Sequence, residues 1–189
     1  MLADCLEYDR RFGIVYLSSG LEERAIEAGT IGTIGRIESA VALSNGRSNI
    51  VVVGTERFAF QGFVNSDAPY HVAQITGYND EAEDSAALNE AAKLVCDQFA
   101  RVTTAVRLLA GDEREPPNLP EDPALLAFFI ASLIDLEPSS RQLLLTLRSP
   151  LGRLMQIEAL LSAAVGLLEQ RAIVHSSAKQ NGHGPRVAQ

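Results

Sequence analysis

Lysine is almost missing from this chain of 189 residues: Lys93 and Lys179 are the only two. A serine–lysine hydrolase needs a deprotonated lysine beside its hydroxyl. Lys93 falls on the solvated side of a long helical pattern, about two turns from Ser85, and Lys179 lies in a polar C-terminal stretch, so that chemistry is not expected. Cysteine is as sparse. Cys5 and Cys96 lie far apart with no CxxC nearby, which predicts two reduced thiols and no zinc site. His71, His175 and His183 have neither i, i+4 spacing nor a carboxylate constellation around them, so no metal centre is expected. Gly29, Gly32 and Gly35 do not form GxxxxGK[ST] and no helix follows them; they read as strand glycines at a tight bend, not a nucleotide cradle.

Basic charge is short everywhere. Six Arg face ten Asp/Glu in residues 1–80, and ten Lys/Arg face fourteen Asp/Glu in residues 81–189, for a net charge of −8. Neither part has the cationic excess that draws nucleic acid or anionic membrane. No apolar run reaches the roughly eighteen residues of a membrane span, and no basic-then-apolar leader opens the sequence. A soluble, unexported, cytoplasmic protein is the expectation.

What is present is a change of period near residue 80. Residues 1–9 read as the end of a helix with Leu2 and Leu6 on one face, and residues 11–17 as a strand alternating Phe12, Ile14 and Tyr16. Strands over 31–43 and 48–53 are joined through Asn45-Gly46, the pair suited to a type I′ hairpin. Ile50-Val51-Val52-Val53 is apolar on both faces and predicts a strand buried on two sides, with Gly54 allowing a bend. Phe58 and Phe60 share a face that Phe63 leaves, so a bulge at Gly62 is expected, and residues 69–75 form the last strand.

From Glu81 to Ala110, Leu88, Ala92, Val95, Phe99, Val102, Val106 and Leu109 repeat every three or four residues and lay a seam along a helix. Pro116, Pro117 and Pro120 mark a linker. Asp122-Pro123, Glu137-Pro138 and Ser149-Pro150 then open three further helices, with Glu137 the weakest cap. The first of these is apolar nearly all round and is expected at the centre of a bundle. The last carries a seam of Leu154, Ile157, Leu161, Ala164 and Leu168. The organisation expected is a β-rich part over 1–80, a helical bundle over 81–174 and a disordered tail over 175–189.

The order Asp4-Cys5-Leu6, Phe12-Gly13-Ile14, Ile31-Gly32-Thr33, Asn45-Gly46-Arg47, Gly54 with Arg57-Phe58, and Pro69-Tyr70, followed by Gln142-Leu143-Leu144 and Arg153-Leu154, resembles the N-terminal substrate-binding domain of Lon proteases and its stand-alone bacterial relatives. The resemblance covers most of residues 3–170. It implies an α+β fold, a β-rich PUA-like pseudo-barrel followed by a helical bundle. The proline-rich strand pair and His-Ile-Phe-Glu segment that family members carry before Asp4-Cys5-Leu6 do not occur. A barrel incomplete at its N-terminus is therefore expected, with an exposed strand edge open to a homo-oligomer.

The resemblance further implies a module that is not an enzyme and needs no cofactor, binding unfolded or tagged polypeptide or a partner protein as an adaptor in protein quality control. Two other readings stand beside it: an RNA-binding PUA-like protein, and a structural homo-oligomerisation module using the helical seam. The acidic balance and the lack of aromatics interleaved with Lys/Arg weigh against RNA. The seam is more simply the interior of the chain's own bundle. Arg36, Arg57 and Tyr70, on strands next to these signals, are the candidate partner-binding residues. Each also has a structural reading, as a salt bridge for the arginines and a barrel-end contact for Tyr70.

Overall fold

The computed structural model describes residues 1–181 apart from 19, 21, 23, 24 and 113, and side chains through 175. Part of residues 18–29, a polar connection between the first two expected strands, and the end of the expected tail from 182, lie outside the described residues. In chain order the elements are α1 (Leu2–Glu7), β1 (Arg11–Val15), β2 (Ile31–Ala42), β3 (Ser48–Val64), β4 (Val72–Gly77), α2 (Ser85–Ala110), α3 (Pro123–Leu133), α4 (Pro138–Thr146) and α5 (Pro150–Asn181). They group into two compact units: Met1–Asp80 with Glu137–Arg148, and Glu81–Leu136 with Ser149–Gln189. Helix α4 thus leaves the other helices and belongs with the sheet.

In the first unit the four strands form one antiparallel sheet in the order β1-β2-β3-β4. The β2–β3 hairpin stands where Asn45-Gly46 placed it, but its turn is not type I′. Gly46 has φ 77° while Asn45 does not enter positive φ; the Gly46 N–H donates to the Leu43 carbonyl at 3.2 Å and the Leu43 N–H to the Arg47 carbonyl at 2.8 Å. This is a three-residue loop closed by a left-handed glycine, which needs one glycine where type I′ needs two positive-φ residues. Two bulges bend β3. Thr55 is the extra residue between Gly54, opposite Gly35, and Glu56, opposite Ile34. Gln61 is the extra residue before Gly62, whose φ is 154°. The second restores the parity of the phenylalanines, since the Phe60 and Phe63 rings meet edge to face at 5.0 Å.

Ile31, Ile37, Phe58 and Phe60 are buried, joined by Leu144 of α4. The strand glycines have a packing cause. A Cβ on Gly32 would lie 2.5 Å from the Phe58 ring and 2.6 Å from the Ile14 carbonyl oxygen, so Phe58 can be buried only over a residue without a side chain. The expectation of a doubly buried Ile50–Val53 is overturned: Val51 is 57% exposed and Ile50 and Val53 are exposed too. Neither β1 nor β4 reaches that far, so this end of β2 and β3 is a two-stranded ribbon.

In the second unit α2 packs along α5, and α3 lies on both through Leu126, Ala127, Ile130 and Ala131. The buried centre is the α2–α5 pair and not α3, whose Leu125 and Leu133 are half exposed. The seams hold at first and then drift. On α2 the buried series runs Val95, Phe99, Val102 and Ala105, leaving Val106 exposed; on α5 it runs Leu154, Ile157, Leu161, Val165 and Ala172. A straight helix turns every 3.6 residues, so a strict heptad stripe rotates off the interface by about 20° per repeat.

Of the expected caps, Asp122 is present and Glu137 makes no side-chain cap, while α2, which starts at Ser85 and not Glu81, is capped by Asp84. At α5 the Ser149 hydroxyl accepts from the Gly152 N–H at 2.8 Å and donates to Glu83, whose other oxygen takes the Leu151 N–H at 2.7 Å. Helix α5 continues to Asn181, so the start of the stretch expected as a disordered tail is helical. Pro150–His175, with mean hydropathy 1.4, is long and apolar enough to cross a membrane by length and composition alone, contrary to the sequence expectation. Its Leu154, Ile157, Leu161 and Val165 are buried within this unit.

Candidate functional site

Arg57 lies low on β3 with a side chain only 9% exposed. One guanidinium nitrogen donates to the carbonyls of Leu145 and Leu147 at 2.6 and 2.7 Å, and another pairs with Asp80. Tyr78 stacks beneath the guanidinium at 5.1 Å and donates its hydroxyl to the Thr146 carbonyl at 2.8 Å; Arg148 reaches back to the Asn79 carbonyl at 2.9 Å. The last carbonyls of a helix have no partner within it. Here cations and a phenol supply the donors and complement the helix dipole, and Gln142 adds a bond to the Ile31 carbonyl at 2.8 Å. The structure therefore uses Arg57 to hold α4 on the sheet.

Tyr70 and Arg36 are elsewhere. Tyr70 lines a cleft of about 330 Å³ with Asp4 and Cys5 of α1, Phe12 and Gly13 of β1, and Val72 and Ala73 of β4. Both edge strands of the sheet line this one cleft, so the sheet curls toward a barrel with α1 at the opening. Across this cleft Asp4 raises the pKa of the Tyr70 phenol, and Tyr70 together with the N-terminal ammonium, 3.4 Å from the carboxylate, lowers that of Asp4. Arg36 forms an exposed ion pair with Glu38 at 2.7 Å, a contact of small energetic weight. The three candidate residues are thus not brought together.

Sequence reasoning missed a larger feature in the helical unit. A groove of about 820 Å³ is walled by Phe99, Val102 and Val106 of α2, Leu133 to Leu136 at the end of α3, Leu160 and Ala164 of α5, and Pro116-Pro117 of the linker. Asp112, Glu115 and Asp135 lie along it with Arg107 and Arg114. Arg114 binds Asp112 at 2.6 Å and, with the Arg114 N–H and the charge of Arg107, holds that carboxyl down to about 2. Val106 carries the available signal: the heptad spacing places it on the buried seam, and its exposure opens the groove wall. Arg153 was also missed as a core residue. It is fully buried, donates to the Ala124 carbonyl at 3.0 Å and stands 4.3 Å over the Phe128 ring. Among the described residues there is no group of three or more His, Cys, Asp or Glu able to hold a metal ion. Both cysteines are free thiols, and burial raises the pKa of Cys96.

The arrangement is that of an α+β protein with a curled, β-rich unit and helices, and solved structures share it. The N-terminal domain of the Lon protease of the Mycobacterium avium complex matches with a TM-score of 0.54 and 17% identity, over 80% of this chain and 89% of that one. A Lon N-terminal domain protein from Xanthomonas campestris matches with 0.52 and 22%, over 84% and 80%. Residues 1–163 match the family model of the ATP-dependent protease La (LON) substrate-binding domain, and the chain belongs to that family. Lon protease 2 of Herpetosiphon aurantiacus is 28% identical over 139 residues, 74% of this chain and 17% of that protein; Lon protease of Trichlorobacter lovleyi is 25% identical over 151 residues, 79% and 18%. The chain spans less than a fifth of the length of these relatives.

Proposed function

We propose that this chain is a non-catalytic polypeptide-binding module that recognises exposed apolar segments of unfolded or tagged proteins in the cytoplasm and acts as an adaptor in protein quality control. The observation that carries the reading is the groove of the helical unit, where the exposed Val106, Leu133 and Leu160 offer apolar surface large enough for several side chains of an extended segment. Membership of a substrate-binding family supports it. Arg36 and Tyr70, on the sheet unit, are offered as second contacts; Arg57 acts through α4 and is a positioning residue.

The test compares a reduced and alkylated, permanently unfolded protein with its native form by fluorescence anisotropy. The unfolded form is expected to bind and the native form not. Leu160 is 42% exposed, so Leu160→Asp leaves the core intact while placing a charge against the groove. It is expected to weaken binding about tenfold, or about 1.4 kcal/mol. Equal binding of native and unfolded forms would refute the reading.

A further inference from the structure

The two edges of the β2–β3 ribbon are treated differently. On the β2 side the edge is blunted. The Ile37 N–H donates to the Arg10 carbonyl at 2.8 Å, and Arg10, held at φ 60°, returns its guanidinium to the carbonyls of Ile37 and Glu38 at 2.9 and 3.4 Å. Glu38 is itself an unpaired extra residue carrying a charge. Charge, bulge and a covering side chain are the usual defences of a free edge.

The β3 side has only the Thr55 bulge, at its far end, and no charge along the edge. Strand β4 begins to pair only at Phe58, so among the described residues the outer edge of Ser48–Thr55 has no strand against it. Ser48-Asn49-Ile50-Val51-Val52-Val53-Gly54-Thr55 contains no charge and no proline, and Ile50, Val51 and Val53 are exposed.

We propose that this edge pairs with the same edge of a second copy of the chain, antiparallel about a two-fold axis at Val51. A two-fold antiparallel pair sets one residue opposite itself, and the alternation of bonded and non-bonded pairs requires the axis to pass through a residue pair. With Val51 at the centre, Arg47 of one copy lies opposite Thr55 of the other, next to Glu56. Because Thr55 is the extra residue, Glu56 returns to the face that carries Arg47, Val51 and Val53, the face on which it already meets Arg11 at 2.9 Å. Arg47 has no acidic partner among the described residues. Pairing therefore brings opposite charges together at both ends of an uncharged edge and leaves no like charges opposed. The result is a continuous sheet through two copies, with Val51 and Val53 of each packed across the axis.

Sedimentation velocity over a concentration series tests this on the full chain. A reversible dimer is expected. Val51→Lys sets two ammonium groups opposite each other at a site that is exposed in the single chain, and is expected to raise the dimer dissociation constant at least tenfold with an unchanged circular dichroism spectrum. Val51→Cys in a Cys5→Ser/Cys96→Ser background is expected to give a disulfide-linked dimer on mild oxidation, because a residue facing itself across an antiparallel pair lies within disulfide reach. Ser39→Cys, on the blunted edge, is expected not to. A monomer at every concentration, a dimer indifferent to Val51→Lys, or crosslinking at Ser39 as readily as at Val51 would each overturn the proposal.

Discussion

Gly32 shows how one missing side chain organises the sheet. The Phe58 ring takes the space its Cβ would need, and the Ile14 carbonyl closes the other direction. Gly32→Ala is expected to cost about 1–3 kcal/mol in urea unfolding, as overpacking does; Gly77→Ala, with nothing within 4 Å, is the control and should cost far less. At the cleft, the interaction of Asp4 with Tyr70 has a two-sided pH signature. The depressed Asp4 pKa means its contribution is present above the unfolded carboxyl value and is lost as pH falls through the folded one. The raised Tyr70 pKa means its contribution is present below the unfolded phenol value and is lost as pH rises through the folded one. Tyrosinate absorbance should show Tyr70 titrating above 10 in the native protein and falling back toward that value in Asp4→Asn. An unchanged titration would mean that the two groups do not interact in solution.

Among the elements, the helix starts were legible and the destination of α4 was not. Asp122-Pro123 and Ser149-Pro150 mark helix N-termini because the cap and the ring act within a few residues. Leu143-Leu144-Leu145, by contrast, reads like any apolar helix. What sends α4 to the sheet is a set of partners distant in sequence: Ile31 for Gln142, and Arg57 for Leu145 and Leu147. The hairpin was placed correctly by Asn45-Gly46, but its exposure depends on where β1 and β4 end, which no local pattern records. Arg57→Ala is expected to cost about 2–3 kcal/mol, the scale of charge-assisted hydrogen bonds. Hydrogen exchange should then speed up in α4 together with the sheet and leave Leu154 to Leu161 of α5 protected. Arg57→Lys, which keeps the charge but loses the fork, should recover only part of the loss. The candidate groove was out of reach for a further reason. It is assembled from α2, the linker, α3 and α5, and its walls are the residues left over when a 3.6-residue helix turns away from its heptad stripe.

For the whole molecule, the acidic balance that argued against nucleic acid and the apolar groove that argues for polypeptide make opposite predictions about salt. Binding by apolar contact does not depend on releasing counterions, whereas binding to RNA weakens steeply as salt rises. The measurement that meets the central claim most directly is the affinity of the full chain for an unfolded polypeptide and for a single-stranded RNA, each titrated across a range of salt concentrations. The account predicts a polypeptide complex whose affinity is nearly flat with salt and an RNA complex too weak to saturate. A tight RNA complex that dissolves with added salt, together with no binding of the unfolded chain, would contradict it.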